Sequence, residues 1–377
     1  MMRLTVPRVL MVLGGALLLT YAVATAPATM FGGRADGQSD RLAKAEPGAA
    51  PRPAAELFPP AGKAFIGVMT EKGPHDFAAV DTFTAAARHQ PNVLMFSSWW
   101  ASDAFDRMLF DRISSRGMLP MLAWEPWDNT LDEAARKRGL PVRDIDQIRS
   151  NQPNYRLSRI AGGDFDPYLR SWAEGIKSLG YPVAIRFAHE MNGDWYPWSE
   201  AVNANRPGEY ARAWRHVHDL FRAVGATNVT WVWSPNARWG DSTPRLSGFY
   251  PGDDYVDWVG LSGYYGIGFY TDYRSFDEIF DRTITEIRAF SRKPMVITET
   301  GASDATGRKA EWITEAFRLL SRHKEIIGVI WFEVDKEVDW RIVSSPAVTE
   351  AFAKAVADPR HQFSWSPDML LRTKLAD

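Results

Sequence analysis

The chain contains no cysteine. This excludes disulfide bonds, thiol nucleophiles and metal sites built from thiolates. An excess of charge of either sign is also missing, since 44 Lys and Arg side chains are balanced by 46 Asp and Glu side chains. Without a basic stripe, no nucleic acid is expected as a partner. Asp253, Asp254 and Asp257 fit a turn better than a metal site, so we expect neither a metal nor a cofactor.

The amino-terminal segment has the pattern of a secretory signal. Arg3 and Arg8 precede an apolar run over residues 9–26 that ends among alanines, and we predict that residues 1–26 direct export. An uncleaved membrane anchor is the alternative, because the run approaches the ~20 residues that span a bilayer. Either reading predicts a secreted, periplasmic or membrane-anchored protein that faces outward. Residues 27–62, rich in Ala, Pro and Gly, are predicted to form a flexible linker.

Short β-rich runs alternate with longer amphipathic runs from residue 64 onward, a pattern typical of parallel strands joined by helices. Eight strands are predicted: Phe65–Met69, Val93–Ser97, Met118–Ala123, Val183–Ala188, Val229–Trp233, Trp258–Ser262, Met295–Thr298 and Ile326–Phe332. The predicted helices are Phe77–Arg88, Ala104–Arg116, Asp166–Leu179, Pro207–Val224, Phe276–Phe290, Arg308–Ser321 and Pro346–Val356. Pro207 is expected in the first turn of its helix.

Eight such units predict an α/β fold of the (β/α)8 TIM-barrel type, as a single catalytic domain over residues 63–358 with a polar tail over residues 359–377. An open doubly wound sheet is the alternative. It is less favoured because no glycine-rich phosphate motif follows an early strand. Residues 128–164 carry many charges and few apolar side chains, and we predict a long loop there that walls one side of a cleft.

Polar and aromatic side chains follow the predicted strands at the end where barrel enzymes place their sites. The clearest case is VAIRFAHEMNGDWYPW, residues 183–198, in which an apolar strand runs into a cluster that ends in aromatics. Glu190 and Glu299 each end an apolar run, on strands four and seven. Strands four and seven lie on opposite sides of the ring, so the two carboxylates can face each other across the mouth. A carboxylate pair among aromatics is typical of glycoside hydrolysis, whereas two structural salt bridges are the alternative.

The segments RFAHEMNGDWYPW, PGDDYVDWVGLSGYYG and MVITETGAS resemble those of glycoside hydrolase family 26. That family comprises retaining endo-β-glycanases of the beta-mannanase type with a (β/α)8 fold, and the resemblance covers roughly residues 64 to 357. It implies that Glu190 is the acid/base and Glu299 the nucleophile. It also implies that Arg186 lies near the nucleophile, and that the phenol of Tyr264 donates a hydrogen bond to it.

Further site residues are implied by the same resemblance. His189 is expected to position substrate or the acid, Trp195 to form a subsite wall, and Trp331 to lie beneath the sugar at the cleavage point. Asn192 belongs to the same cluster. Each aromatic side chain has a structural alternative, because tryptophan serves core packing as readily as stacking on a sugar.

The substrate is the open part of the interpretation. Where mannan-cleaving members tend to have a His-containing segment after the third strand, this chain has AWEPW, residues 123–127. Trp124, Glu125 and Trp127 are therefore candidate substrate contacts, with core packing an even alternative for the tryptophans, as also for Trp99 and Trp239. A β-linked polysaccharide of the mannan type is expected, with mixed-linkage β-glucan, xylan or an exopolysaccharide as alternatives.

A function from a class other than enzymes also stays open. A non-catalytic glycan-binding barrel, tethered to a membrane through residues 9–26, would keep the aromatic side chains but would not need both glutamates. No obligate protein partner is evident in the sequence.

Overall fold

The computed structural model describes residues 56–238, 244–266, 272–336 and 338–373. The predicted signal segment, most of the linker and Trp239 lie outside these ranges. Within them, no helix is long and apolar enough to cross a membrane.

Eight parallel strands form a closed barrel, as predicted. They are β1 (Phe65–Thr70), β2 (Val93–Trp99), β3 (Leu119–Glu125), β4 (Val183–Phe187), β5 (Val229–Trp233), β6 (Trp258–Tyr265), β7 (Met295–Ala302) and β8 (Ile326–Glu333). Each strand pairs with the next along the chain, and β8 closes the ring by pairing with β1, with Phe65 opposite Gly328. All eight predicted strands are confirmed. Most extend past their predicted carboxyl ends, so that residues placed after the strand belong to the strand itself.

Helices surround the barrel. They are α1 (Ala78–Ala87), α2 (Arg107–Ser114), α3 (Asn129–Lys137), α4 (Val142–Ser150), α5 (Leu157–Ala161), α6 (Asp166–Leu179), α7 (Glu209–Val224), α8 (Phe276–Arg288), α9 (Lys309–Leu320) and α10 (Pro346–Val356). Single 3-10 turns occur at Gly73–His75, Pro153–Tyr155, Leu246–Gly248, Asp253–Tyr255, Ile342–Ser344 and Pro359–His361. The placement of Pro207 was wrong, because α7 begins at Glu209, after Gly208 with its left-handed φ of 82°.

Strand alternation divides the apolar side chains between two cores. Side chains that point inward, such as Met95, Met121 and Ala184, fill the barrel interior. Those that point outward, such as Leu122 and Ile185, meet the buried faces of the helices in the larger core. The parity of a residue in its strand therefore decides whether it can reach the mouth of the barrel.

The predicted long loop over residues 128–164 was wrong, because α3, α4 and α5 lie there. These helices are short and mostly polar, and α3 and α4 are joined by a fully buried ion pair between Arg149 Nη2 and Asp132 Oδ1, 2.7 Å apart. Asp128 caps α3 by accepting a hydrogen bond from the backbone N–H of Thr130. Because an ion pair joins α3 to α4, these helices need less apolar surface between them. The apolar pattern expected of packed helices is therefore weak in this part of the sequence.

The segments just before and just after the predicted domain close the base of the barrel. Leu57–Phe58 pairs in parallel with Leu370–Leu371, and Phe58, Trp365 and Met369 are buried against interior residues such as Trp258. His361 lies buried with Nδ1 2.8 Å from the backbone oxygen of Ala64. The predicted boundaries at residues 63 and 358 therefore omit segments that pack with the barrel.

Truncation after residue 358 tests this packing. Each large apolar side chain of the tail contributes about 1.5–3 kcal/mol through burial, so we expect the midpoint of thermal unfolding to fall by roughly 10 °C. Circular dichroism during heating measures it, with a chain that ends at residue 373 as the matched control. An unchanged midpoint would contradict a stabilising role for the tail.

Candidate active site

Arg186 connects three strands at the mouth of the barrel. It lies two residues after the inward-facing Ala184 on β4, so its side chain also points inward, and it is fully buried. Its Nε donates to Ser234 Oγ at 3.0 Å, Nη1 to Glu299 Oε2 at 2.7 Å and Nη2 to Ser262 Oγ at 2.5 Å. Because a buried guanidinium needs an anion and filled donor positions, this network holds Glu299 in one orientation.

Glu299 lies within β7, and only 7% of its surface is exposed. Its Oε2 accepts the hydrogen bond from Arg186, and its Oε1 accepts one from the Tyr264 hydroxyl. The two contacts hold both oxygens of the carboxylate, since Arg186 supplies a positive charge and Tyr264 donates a hydrogen bond. The two contacts implied by the resemblance are thus present.

Glu190 follows β4 in an uncommon backbone conformation. Its φ is 56° and that of Ala188 is 43°, both left-handed for residues with a side chain, and such strain is often found at functional sites. The backbone N–H of Glu190 donates to Ser234 O at 2.7 Å. The carboxylate accepts hydrogen bonds from Asn236 Nδ2 and Trp195 Nε1, each at 3.0 Å.

The electrostatic surroundings of Glu190 favour its neutral form. Burial raises the pKa of Glu190 to about 7, and the negative charge of Glu299 adds to the rise. The charge of Arg186 and hydrogen bonds from Asn236 and Ser262 oppose it. Glu190 can therefore hold a proton near neutral pH while Glu299 is paired with a cation, which gives two carboxylates two different chemical roles.

The segment after Glu190 supports it from one side. Asn192 exchanges two hydrogen bonds of 2.9 Å with the backbone of Asn236, and so orients the residue that binds Glu190. Gly193 allows the Trp195 ring to approach, because a Cβ at this position would lie 2.3 Å from the ring. Trp195 is partly exposed, so its ring can meet a ligand while its N–H holds Glu190.

His189 is buried against the stacked rings of Tyr196 and Trp198, with ring centroids 5.3 and 5.8 Å away. Its Nδ1 is buried and lacks a hydrogen-bond partner within the described part of the chain. Burial, and secondarily the charge of Arg186, lowers its pKa well below the usual value. Because the ring is neutral, His189 suits a hydrogen bond with a sugar hydroxyl better than a charge–charge interaction.

Glu125 is a third carboxyl group at the mouth. It ends β3 in the inward-facing position and is buried, and burial raises its pKa to about 7. Its Oε2 accepts a hydrogen bond of 3.0 Å from Trp127 Nε1. Trp127 is itself fully buried, with its ring 6.0 Å from that of Tyr196. Trp127 therefore supports Glu125 and the aromatic cluster around His189, and offers no open stacking face.

Two predicted sugar contacts were wrong. Trp124 and Trp331 occupy outward-facing positions on β3 and β8 and are almost completely buried between the barrel and its helices. Trp124 packs on Trp172, with ring centroids 5.3 Å apart, and Trp331 packs on Phe352 at 5.2 Å. The prediction placed them near the correct strand ends but did not use the alternation of side chains along a strand.

The sequence reasoning also missed Trp340. This residue follows β8 in a loop, is buried, and lies with its ring 4.9 Å from that of Tyr264. No strand pattern marks it, since it reaches the mouth only because the loop folds back. Ser234 and Asn236, which follow β5, were also not predicted as site residues, although a polar pair after an apolar strand was a usable signal.

Potential metal ligands outside the mouth are already paired. Among the described residues, Asp277, Asp281 and His323 form a group of suitable geometry, but His323 also lies 3.1 Å from Glu325, which makes an ion-pair network sufficient. Asp253 begins a 3-10 turn and accepts hydrogen bonds from Tyr250 and Ser291, in agreement with the predicted turn.

Comparison with known sequences identifies relatives. The family model described as glycosyl hydrolase family 26 matches residues 149–314, which include Glu190 and Glu299. Endoglucanase H of Acetivibrio thermocellus is 34% identical over 315 residues, which are 80% of this chain and 32% of that protein. A mannan endo-1,4-beta-mannosidase of Bacillus subtilis is 28% identical over 171 residues, 44% of this chain and 41% of its own. The chain thus spans less than half the length of these curated relatives.

Solved structures show the same fold. The GH26 domain of an endo-beta-mannanase/endo-beta-glucanase from Prevotella bryantii superposes with a TM-score of 0.57 at 17% identity, over 80% of this chain and 91% of that domain. The Bacillus subtilis mannanase man26 gives a TM-score of 0.54 at 18% identity, over 84% and 92%. With the barrel and the matched segment taken together, the chain belongs to glycoside hydrolase family 26.

Proposed function

We propose that this protein is a retaining endo-β-glycanase with Glu299 as nucleophile and Glu190 as acid/base. The observation that carries the proposal is the pair of buried glutamates, one after β4 and one within β7, which have opposite surroundings. Glu299 is paired with Arg186 and Tyr264, whereas burial raises the pKa of Glu190 to about 7. An ionised and a protonated carboxyl group are what the first step of double displacement needs.

In that first step, Glu299 attacks the anomeric carbon and the glycosidic bond breaks, while Glu190 gives its proton to the leaving oxygen. A glycosyl ester on Glu299 and an ionised Glu190 result. Glu190 then takes a proton from water, whose oxygen attacks the anomeric carbon and releases Glu299. Because each step inverts the anomeric carbon, the product keeps the β configuration.

The pH dependence follows from Glu190. A general acid must be protonated, so we expect kcat/KM to fall as the pH rises above about 7, when Glu190 loses its proton. Asn236 favours the ionised form, and Asn236→Ala should therefore raise the pKa of Glu190 and move this alkaline limb to higher pH. Initial rates on a soluble glycan across the pH range measure it. Asn154→Ala is the control, because Asn154 is exposed and its side chain accepts a hydrogen bond from Arg159; the alkaline limb should stay in place in this variant. An alkaline limb that stays fixed or moves to lower pH in Asn236→Ala would contradict the assignment.

For the substrate, we propose a β-mannan, because several relatives are named mannan endo-1,4-beta-mannosidases. A β-glucan is the second candidate. One reason is the 34% identity to a protein named Endoglucanase H. The other is that this chain lacks the histidine-containing segment expected near the end of β3 and has Glu125 at the mouth of the barrel instead. Glu125 is suited to bind sugar hydroxyl groups, since its buried carboxyl group can donate as well as accept.

A substrate panel tests the proposal. Mannan, mixed-linkage β-glucan, xylan and carboxymethylcellulose are each incubated with the protein, reducing ends are counted, and NMR spectra recorded within minutes give the anomer first formed. We expect β-anomeric oligosaccharides of several lengths from mannan or β-glucan. The α anomer would overturn the retaining mechanism, and a single short product would overturn endo action. Binding without any hydrolysis would favour the non-catalytic barrel.

Export is part of the same proposal. A polysaccharide too large to enter a cell needs an enzyme on the outside, and residues 1–26 have the pattern of a signal or anchor. Fractionation of cells that express the full chain tests it, and the intact mass of the exported protein separates cleavage from anchoring. Recovery of the full-length chain only from the cell interior would contradict export.

A further inference from the structure

A buried lysine on the helix that follows β7 lies beneath the loop that carries Trp340. Lys309 begins α9, and none of its surface is exposed. Its Nζ donates to the backbone oxygens of Asp339 and Arg341, each at 2.8 Å. These two carbonyl groups flank Trp340 on either side, so a single ammonium group holds both ends of the tryptophan residue.

The rest of the loop backbone is held as well. The N–H of Trp340 donates to Val334 O at 3.0 Å, and its carbonyl oxygen accepts a hydrogen bond of 3.0 Å from Trp331 Nε1. The N–H of Ile342 donates to the buried carboxylate of Glu333 at 2.9 Å. These contacts fix the backbone on both sides of Trp340 and so fix the position from which its side chain extends.

The ring of Trp340 contacts the residues around the candidate nucleophile. Its centroid is 4.9 Å from that of Tyr264, and a Cβ at Gly301, two residues after Glu299, would lie 3.2 Å from the ring. The Tyr264 hydroxyl in turn donates to Glu299. A continuous path of contacts therefore runs from the Lys309 ammonium through Trp340 and Tyr264 to Glu299.

Burial of an ammonium group has a large desolvation cost, and a well-packed apolar side chain would often stabilise such a position better. Burial indeed lowers the pKa of Lys309 to about 8. Its Nζ donates hydrogen bonds to two main-chain carbonyl groups, while the nearby Asp339 carboxylate pairs with Arg341 at 2.8 Å. The Lys309 ammonium group thus donates hydrogen bonds to two specific backbone oxygens, and an apolar side chain could not supply these donors.

We infer that Lys309 is a positioning residue for the candidate active site: it fixes Trp340 against Tyr264 and so holds the phenol on Glu299. The inference rests on the proposed function, because it assigns Lys309 an effect on the step in which Glu299 attacks. Lys309 itself does not touch the substrate or the reacting atoms.

Lys309→Met removes the donors and keeps a side chain of similar length. We expect kcat to fall by about 10-fold or more, because small misplacement of reacting groups has large effects on rate, while KM changes by less than about 3-fold since sugar binding is spread over the cleft. Lys177→Met is the matched control, because Lys177 Nζ also donates to a backbone oxygen, that of Val224, but on the surface. The control should keep the kcat of the unmodified protein.

A double-mutant cycle separates positioning from a general loss of stability. If Lys309 acts through Trp340, then Lys309→Met should lower kcat much less in the background of Trp340→Phe. Equal effects in both backgrounds, or an unchanged kcat in Lys309→Met, would overturn the inference. The assays are run well below the unfolding midpoint of each variant, measured in parallel.

Hydrogen exchange gives a readout that does not depend on catalysis. We expect the peptide that covers residues 334–342 to exchange faster in Lys309→Met and at the original rate in Lys177→Met. If the unmodified protein hydrolyses no glycan, the proposed function fails, yet this exchange result still tests whether Lys309 holds the loop. Unchanged exchange in Lys309→Met would overturn the positioning role.

Discussion

Glu299→Ala is expected to abolish turnover on polysaccharides and on activated aryl glycosides alike. Without the carboxylate no glycosyl ester can form, and a better leaving group cannot compensate for a missing nucleophile. Loss of a nucleophile lowers kcat by about 10⁶-fold in well-studied hydrolases, so we expect a loss of at least about 10⁴-fold. Reducing-end release and aryl alcohol release measure the two substrate types.

The variant needs a control for folding, since it leaves the buried Arg186 without its anion. Removal of one partner of a buried ion pair can destabilise a protein by about 3–5 kcal/mol. Glu299→Gln keeps an oxygen that accepts from Tyr264 or Arg186 and should fold, yet should be as inactive as the alanine variant. Glu350→Ala, at a partly exposed glutamate paired with Arg88, should be fully active. Substantial activity of either Glu299 variant on an activated glycoside would rule out its role as nucleophile.

Glu190→Ala is expected to separate the two substrate types instead. Polysaccharide hydrolysis should fall by about 10²–10⁴-fold, because the sugar leaving group needs a proton from the general acid. A dinitrophenyl glycoside needs no such proton, so the first step should persist and only the release of the glycosyl ester should slow. Stopped-flow absorbance should then show a burst of dinitrophenol, and mass spectrometry should detect the ester on Glu299.

Azide provides the matching control for Glu190→Ala. The small anion can take the place of water at the space left by the carboxylate, and the product should be a β-glycosyl azide formed at an increased rate. The alkaline limb of the pH profile should also disappear, because it reports the proton on Glu190. Equal losses on polysaccharide and dinitrophenyl glycoside, without a burst, would mean that Glu190 is not the acid/base.

The barrel was predictable because its signals are local. A strand such as Val93–Trp99 shows as a short β-rich apolar run, and the alternation of such runs with amphipathic helices predicts parallel strands. Glu190 and Glu299 were found for the same reason, since each carboxylate interrupts an apolar pattern. The contacts of Arg186 and Tyr264 with Glu299 were predicted only from the family resemblance, because nothing in their own segments shows which distant side chain they contact.

Two of the errors share one physical origin, because the surroundings of a side chain are set by parts of the chain that are distant in sequence. Helices α3 and α4 were missed because the buried pair of Arg149 and Asp132 takes the place of an apolar face. The tail was taken as polar, although Trp365 and Met369 pack against the base of the barrel.

The sequence by itself determined the barrel, the pair of carboxylates at its mouth and therefore the class of reaction to propose, because each depends on periodicity and on residues next to one another in the chain. Only the tertiary structure decided which aromatic side chains belong to the site. Trp124 and Trp331 were excluded by strand parity and burial, whereas Trp340 was brought to Tyr264 by a loop held by Lys309. The contacts of Trp340 depend on how separate segments meet in space, which no local pattern encodes.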